Sequence, residues 1–543
     1  MNGYDEEDVK EDVPILLVQG LRGGEESYRD SDTNQSAHAA IASIHDKEIE
    51  ALSIEVVDKP HQKGCFKYPV SLLDEFLQWM VKLRKAFGAP FLMLILTVYG
   101  INQGIGSNLQ SLATDYYWKD QQKLQPATTQ FYETISGIPW DIKPIYGLIA
   151  DTFPVYGYQR CPYLAICGVA SILCLWFLAA IPQPTPWAAT MLLTAVALCA
   201  AFPDVVTDAM IAQRSREAPA LASDLQSLSW GSMAVGGLIG SGISGFAVDS
   251  LGSRGSYLLI SAAPLLLLLA ALALPEARLA KHLQKAKIGA LLHTLNLFAK
   301  TLRNPAIWKP ALYIYLSSGA LSPDISEAMF FWSTDPKNGP GFSAQFLGLV
   351  NAVGYVAMFL GVAAYNCWFR HYSFRFILCW SQIAGSVIGL IEVILVTRYN
   401  HKLGIPDHAF VLGDEVLSDT INRLQLMPIL VLSARLCPQG IEGTIFAFLM
   451  SVSNFGSTCG SWTGAFLIKW LHIQKDDYRN LWLAVIISSL LRLLPVFFLF
   501  LVPEGTDETF REPTLSDAFE AQHESIQLEP IESVDDKQIL MSD

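Results

Sequence analysis

Charge is scarce in this chain. Charged residues fill 16% of its 543 positions and hydrophobic ones 51%, a balance that excludes a soluble globular protein. A glycine-rich loop ending in Lys and Ser or Thr is also absent, which sets aside ATP-driven pumping. The nine cysteines (Cys65, Cys161, Cys167, Cys174, Cys199, Cys367, Cys379, Cys437 and Cys459) have no paired spacing of metal-site type. They lie in or beside apolar segments and are expected as small buried hydrophobes, not ligands. No metal, cofactor or nucleic-acid partner is expected. The N-terminus lacks a basic segment running into an apolar one, so no cleaved signal peptide is expected, and "YDEEDVKED" is too acidic for a transit peptide. What is present is long apolar sequence, such as "LLISAAPLLLLLAALAL" and "LWLAVIISSLLRLLPVFFLFLV". About 20 such residues span a bilayer as a helix, so the class is an all-α polytopic membrane protein.

The net charge of −14 belongs to the ends. Residues 1–59 hold 15 acids and 5 bases, residues 504–543 hold 12 and 2, and the body between them is net positive. Without sustained apolar periodicity, 1–84 and 504–543 are expected as disordered, acidic, cytoplasmic regions. "DVPILL" (Asp12 to Leu17) fits an acidic dileucine address, pointing to a plasma or vacuolar membrane before a plastid envelope.

Hydropathy predicts twelve transmembrane helices near 90–113, 128–150, 162–181, 187–211, 222–248, 256–274, 306–332, 343–365, 373–397, 408–434, 443–470 and 480–502. These define a bundle over 85–275, a basic amphipathic cytoplasmic linker over 276–305, and a second bundle over 306–503. With both termini in the cytosol, sixteen Lys and Arg fall on inner segments against nine on outer loops, the bias expected of cytoplasmic loops.

The two bundles echo each other. "YYWKDQQKLQP" (Tyr116 to Pro126) and "FFWSTDPKNGP" (Phe330 to Pro340) share two aromatics, a Trp and a distant Pro at an offset of 214 residues, which also carries Gly147 onto Gly361. "DVVTD" (Asp204, Asp208) in the fourth predicted helix is matched by "EVLSD" (Glu415, Asp419) in the tenth. A parallel repeat of two six-helix halves resembles the major facilitator superfamily fold.

Carboxylates in hydrocarbon cost about 2.5–3.5 kcal/mol each at a helix centre. Asp204 and Asp208 are i and i+4, so they share a helix face, as do Glu415 and Asp419 with Arg423 one turn on. In the superfamily, helices 1, 4, 7 and 10 line a central cavity, which the resemblance carries to these positions. There the carboxylates would bind a proton or polar substrate. Two alternatives stay open: Asp208 solvated at a helix end, and Asp419–Arg423 as an intrahelical pair that fixes packing. Trp140, Asp141 and Lys143 sit among prolines in "SGIPWDIKPIYGLIAD", where backbone groups are freed. Lys143 would receive an anionic substrate group or pair with a carboxylate of the fourth helix. Asp324 and Glu327 lie a turn apart in the seventh helix, Asp414 is expected at the interface, and Glu392 and Arg492 have no assigned role. Gly147, Asp151, Gly157 and Arg160 resemble the superfamily's loop 2–3 gating signature, in which the Asp faces a helix N-terminus of the other half.

With "FPDVVTDA", the helix 2 string and "MPILVLSARLCPQGIEGTIFAFLMSVSNFG" read together, residues 85–503 resemble the folate-biopterin transporter family, plant branch. The resemblance implies secondary active transport of folate or a related pterin by alternating access, coupled to protons. A pterin offers an amino-amide edge to a carboxylate and a flat face to an aromatic ring, and folate's glutamyl tail needs Lys or Arg. A carrier of another small organic solute, or a non-transporting scaffold or receptor on the same fold, would keep the same physical features. An intramembrane aspartyl protease would need Gly-x-Gly-Asp, but "VLGD" has Val411 at the first glycine, and no enzymatic activity is expected.

Overall fold

Proline and small polar residues set where the helices begin. The computed structural model describes residues 69–278, 299–435 and 442–505. The expected acidic tails (all but 69–84 of the first and 504–505 of the second), the Asp12–Leu17 pattern, Cys65, Cys437 and most of the linker lie outside the described residues.

The first helix, α1 (Pro69–Phe87), corrects one expectation. Residues 69–84 are helical, not irregular. Phe76, Met80, Leu83 and Phe87 recur at helical spacing, and Leu83 and Phe87 are buried in the core with Trp79 and Met80 packed beside them. Arg84 and Lys85 in its last turn complement the helix dipole. The acids upstream masked this pattern in composition.

Then follow α2 (Ala89–Gln121), α3 (Pro126–Gly137), α4 (Lys143–Thr152), α5 (Cys161–Ala180), α6 (Pro186–Glu217), α7 (Ala222–Ile260) and α8 (Ala262–Ala273). Beyond the linker come α9 (Pro305–Tyr315), α10 (Ser326–Ser333), α11 (Ala344–Ala364), α12 (Phe374–Val396), α13 (Asp407–Arg435), α14 (Glu442–Trp470) and α15 (Leu481–Leu491). Pro sits in the first turn of α3, α6 and α9, where its missing N–H costs nothing. Thr185, Asn304, Ser343 and Ser373 cap α6, α9, α11 and α12 by accepting a backbone N–H.

Among the described residues, seven helical stretches are long and apolar enough to cross a membrane. The remaining expected spans differ for physical reasons. Residues 128–150 break between α3 and α4, and 306–332 breaks at Gly319, whose φ is 128°. Spans 222–248 and 256–274 run together through Gly252, at φ 66° and ψ 172°. α13 carries Asp414, Glu415, Asp419 and Arg423, and α14 is rich in Ser, Thr and Gly. The outer faces are apolar and exposed, with Phe246, Leu272, Phe466 and Phe497 all more than half accessible, as lipid-facing side chains would be.

From Asp74 on, the chain forms one unit. α2 packs on α7 through glycines: a Cβ on Gly236 would lie 2.0 Å from the Gly100 carbonyl oxygen, the close approach that small residues permit between membrane helices. Gly147 of α4 packs on Val205 of α6, and Gly361 of α11 packs on Thr420 and Arg423 of α13. Tyr116 and Phe330 meet edge to face at 5.2 Å, and Trp118 and Trp332, at the same offset, are both buried.

Candidate functional site

The site begins where α3 stops. Pro139 and Pro144 each lack an N–H, and the chain between α3 and α4 passes through a single 3₁₀ turn, Ile138–Trp140, to the non-helical Ile142. The freed carbonyls find side-chain donors. Tyr146 donates to the Pro139 oxygen at 3.0 Å, and Asn454 of α14 donates to the Trp140 oxygen at 3.0 Å. Thr458, one turn further along α14, donates to both oxygens of Asp141 at 3.1 and 3.0 Å.

Lys143, at the start of α4, reaches α6 and forms an ion pair with Asp204. Both side chains are nearly buried, and the Lys143 ammonium lies 5.3 Å from the centre of the Trp140 ring. Lys143 is thus paired with a carboxylate of the fourth predicted helix. On the other side, α2 meets α6 in two rungs. Gln103 donates to Asp204 at 2.7 Å, and Tyr99 donates to Asp208. Tyr99 and Gln103 are i and i+4, antiparallel to the Asp204–Asp208 spacing. They lie in a stretch of wider, π-type turns, Leu96–Gly106, a feature often found at functional sites. Sequence reasoning missed both residues, although two polar groups four apart on an apolar helix were a usable signal. Asp204 is buried, and Asp208 is less covered.

The carboxylates of α13 are elsewhere. Glu415, Asp419 and Arg423 line a cavity of about 350 Å³ together with Asn108 of α2, Trp230, Met233 and Ala234 of α7, and Asn351, Tyr355 and Met358 of α11. Gly354 makes room for two of them, since a Cβ there would lie 2.3 Å from Asp419 Oδ2 and 2.6 Å from Glu415 Oε1. Asn108 donates to the Tyr355 hydroxyl at 2.9 Å across the cavity wall. Arg423 contacts the Met358 sulfur, and its charge attracts that of Asp419 one turn before it. Trp140, Asp141, Lys143, Asp204 and Asp208 do not line this cavity. The expected residues therefore fall into two groups, one lining this cavity and one around the Lys143–Asp204 pair. Asp414 lies in hydrogen-bonding reach of Glu392, which faces Arg492.

The residues that resemble a gating signature run from α4, which holds Gly147 and Asp151, through the loop that carries Gly157 and Arg160. Val155 and Tyr158 exchange backbone hydrogen bonds of 2.8 and 3.0 Å around Tyr156 and Gly157, at φ 52° and 88°. Positive φ at both central positions is the pattern of a type I′ turn, which requires glycine or its like. Asp151 is exposed at the end of α4, and Arg160 precedes α5. The N-terminus of α5 is held by Glu276, whose carboxylate accepts from the backbone N–H groups of Gln159, Arg160 and Cys161 at 2.8 to 2.9 Å. Glu276 was not singled out in the sequence.

Comparison with solved structures defines the class: an all-helical, polytopic membrane fold of major facilitator type. The nucleoside transporter NupG superposes with a TM-score of 0.57 at 15% identity, over 76% of this chain and 98% of that one. The chain belongs to the BT1 family, whose pattern matches residues 103–516. It is 36% identical to a protein of Arabidopsis thaliana named probable folate-biopterin transporter 2, over 80% of this chain and 87% of that one. It is 35% identical to the folate-biopterin transporter of Synechocystis sp. (strain ATCC 27184 / PCC 6803 / Kazusa), over 78% and 85%. Family membership puts the chain among membrane transporters, not enzymes.

Proposed function

We propose that the chain moves folate or a related pterin across a membrane by alternating access, with proton coupling, through twelve crossings in two six-helix halves. The observation that carries the reading is the cavity at Glu415, Asp419 and Arg423. At about 350 Å³ it falls in the range of small-molecule pockets, roughly 300–1,000 Å³. Its wall supplies the groups a pterin needs: carboxylates for the amino-amide edge, Trp230 for the ring face, Arg423 for an anionic tail, and Asn108, Asn351 and Tyr355 for the remaining polar edge. The relatives' names, which pair folate with biopterin, point the same way, and the Arabidopsis relatives at 36 and 37% identity favour the plant branch.

Two halves are supported by the contacts of matched residues. Tyr116 against Phe330 is a contact between equivalent positions, expected where a pseudo-two-fold axis passes between repeats. The two echo glycines, Gly147 and Gly361, pack on the matching helices α6 and α13. The first half takes in the end of α1, whose Leu83 and Phe87 pack in its core, and runs to 275; the second spans 306–503, with both termini in the cytosol, at the plasma or vacuolar membrane. A carboxylate of the fourth or tenth predicted helix (Asp204, Asp208, Glu415 or Asp419) takes the coupling proton, and the Gly147–Arg160 segment gates the cytoplasmic side.

Uptake into proteoliposomes tests this with labelled folate, biopterin, a nucleoside and a sugar, with and without an inward proton gradient. Pterin-selective, gradient-stimulated uptake is expected. Uptake of the sugar or nucleoside alone refutes the substrate. If Asp204→Asn and Asp419→Asn both keep gradient-driven accumulation at the original rate, the coupling assignment is wrong.

A further inference from the structure

Three carboxylates outside both sites converge where α2, α3 and α10 meet. Asp115, Glu133 and Glu327 each offer an oxygen within 4.8 Å of the others. Glu133 is in hydrogen-bonding reach of both neighbours, making a chain Asp115–Glu133–Glu327. Among the described residues no ion pair reaches any of the three, and no other side chain donates to them. Glu327 is 5% exposed, and its Oε2 is buried without a hydrogen-bond partner. Thr129, one turn before Glu133 on the same helix face, is fully buried, and its hydroxyl is also unpartnered. Two carboxyl groups can hydrogen-bond only if one of them carries a proton, and like charges this close do not all ionise.

The neighbourhood supplies no compensating cation. Asp324 faces Glu133 and Glu327 from the break before α10, and Tyr257 faces Asp115 and Glu133 from α7. Lys119, one turn after Asp115, is turned to Thr334 and the Phe330 and Phe331 rings. Arg398 lies over Trp332 and pairs with Asp407. Around the cluster, helices from before and after the linker are tied together. Gln130 accepts from the Glu327 backbone N–H at 3.3 Å and donates to Asp324 at 3.0 Å, and Gln125 accepts from the Lys475 backbone N–H at 3.0 Å.

We infer that Asp115, Glu133 and Glu327 form a shared-proton site that holds this end of the carrier closed and gives up its proton when the two helix groups separate there. With Glu327 withdrawn on α10, the hydrogen-bonded chain is cut. The O–H bond of the bridging carboxyl breaks, its proton passes to entering water, and the remaining carboxylates repel one another. The coupling half of this inference rests on the transport proposed above; the protonation half does not.

The test uses the purified full-length protein in lipid. Infrared difference spectra, recorded without any solute as pH is stepped from acid to alkaline, should show a protonated-carboxyl C=O band that is lost in both Glu133→Gln and Glu327→Gln. In proteoliposomes solute exchange should depend on the pH bathing this end of the carrier, and both variants should lose at least tenfold of that dependence while keeping exchange itself, a readout that a misfolded carrier would not preserve. Glu327→Asp should restore part of the pH dependence. A carboxyl band unchanged in both variants overturns the inference, as does a saturable Ca²⁺, Mg²⁺ or Na⁺ site lost in Glu327→Gln. A changed band with the original pH dependence overturns the closing role. If the wild-type protein moves no pterin at all, the function proposed above fails, and the infrared result still decides the protonation.

Discussion

Lys143→Met is the most direct probe of the buried pair on α4 and α6. Side-chain exposures of 12% and 6% for Lys143 and Asp204 leave little solvent to screen the charge that remains. Removing one partner of a buried pair costs about 3–5 kcal/mol. Asp204 keeps one donor, Gln103 at 2.7 Å, and a hydrogen bond to a charged group recovers about 1.5–3 kcal/mol only where it was not already made. It was, so Lys143→Met should lose most of the full amount. Asp204→Asn should cost less, because Lys143 retains the Trp140 face and the attraction of Asp208. The double variant leaves an uncharged Met beside an Asn that keeps Gln103 within reach, and should be milder than the sum of the singles by about 2 kcal/mol or more. Unfolding of the four proteins in mixed micelles, read as a double-mutant cycle, measures that coupling. Additivity within about 0.5 kcal/mol would refute the ion pair.

Three further outcomes follow from close contacts. Gly354→Ala places a methyl 2.3 Å from Asp419 Oδ2; solute uptake should fall about tenfold, equivalent to about 1.4 kcal/mol, with thermal stability nearly unchanged, measured by uptake kinetics beside a melting curve. Glu276→Ala removes the group that accepts from three N–H donors at the start of α5, and should cost about 1–2 kcal/mol of stability, seen as earlier proteolysis of the 153–160 loop. Gly464→Ala would put a methyl 1.6 Å from the backbone oxygen of Asp324. No side chain can give way there, so this variant should yield little monodisperse protein on gel filtration.

Local patterns were legible in the sequence, and long-range ones were not. Apolar runs placed most of the helices, prolines marked a stretch of freed backbone near Trp140 without foretelling the break in 128–150, and i,i+4 spacing put Asp204 with Asp208 and Glu415 with Asp419 on shared faces. Those features depend on a few neighbouring residues. Tyr99 and Gln103 reach partners 109 and 101 residues away, a pairing set by how α2 packs on α6. The cavity draws on four helices, so no single stretch of sequence announces it. Asp115 and Glu133 were passed over because neither has a carboxylate three or four residues away to share its helix face, and only packing brings them to Glu327. α1 was missed for a different reason, since the acids before it outweighed its apolar face in composition.

The kinds of bond joining the helices bear on how the molecule moves. Ion pairs between described residues stay on one side of the linker: Lys82–Asp224 and Lys143–Asp204 before it, Arg375–Glu504 and Arg398–Asp407 after it. Hydrogen bonds that cross it each have at least one neutral partner, as in Asn108–Tyr355, Gln130–Asp324, Thr458–Asp141 and Asn454 with the Trp140 carbonyl. A buried ion pair is expensive to open, because each separated charge must be solvated or neutralised. A hydrogen bond with a neutral partner contributes about 0.5–1.5 kcal/mol, somewhat more when the other group is charged, and water can replace it. A carrier that must part its two helix groups in every cycle would be slowed by charge pairs across the seam. It loses little by crossing the seam with amides and hydroxyls and keeping its strong electrostatic bonds inside each rigid group.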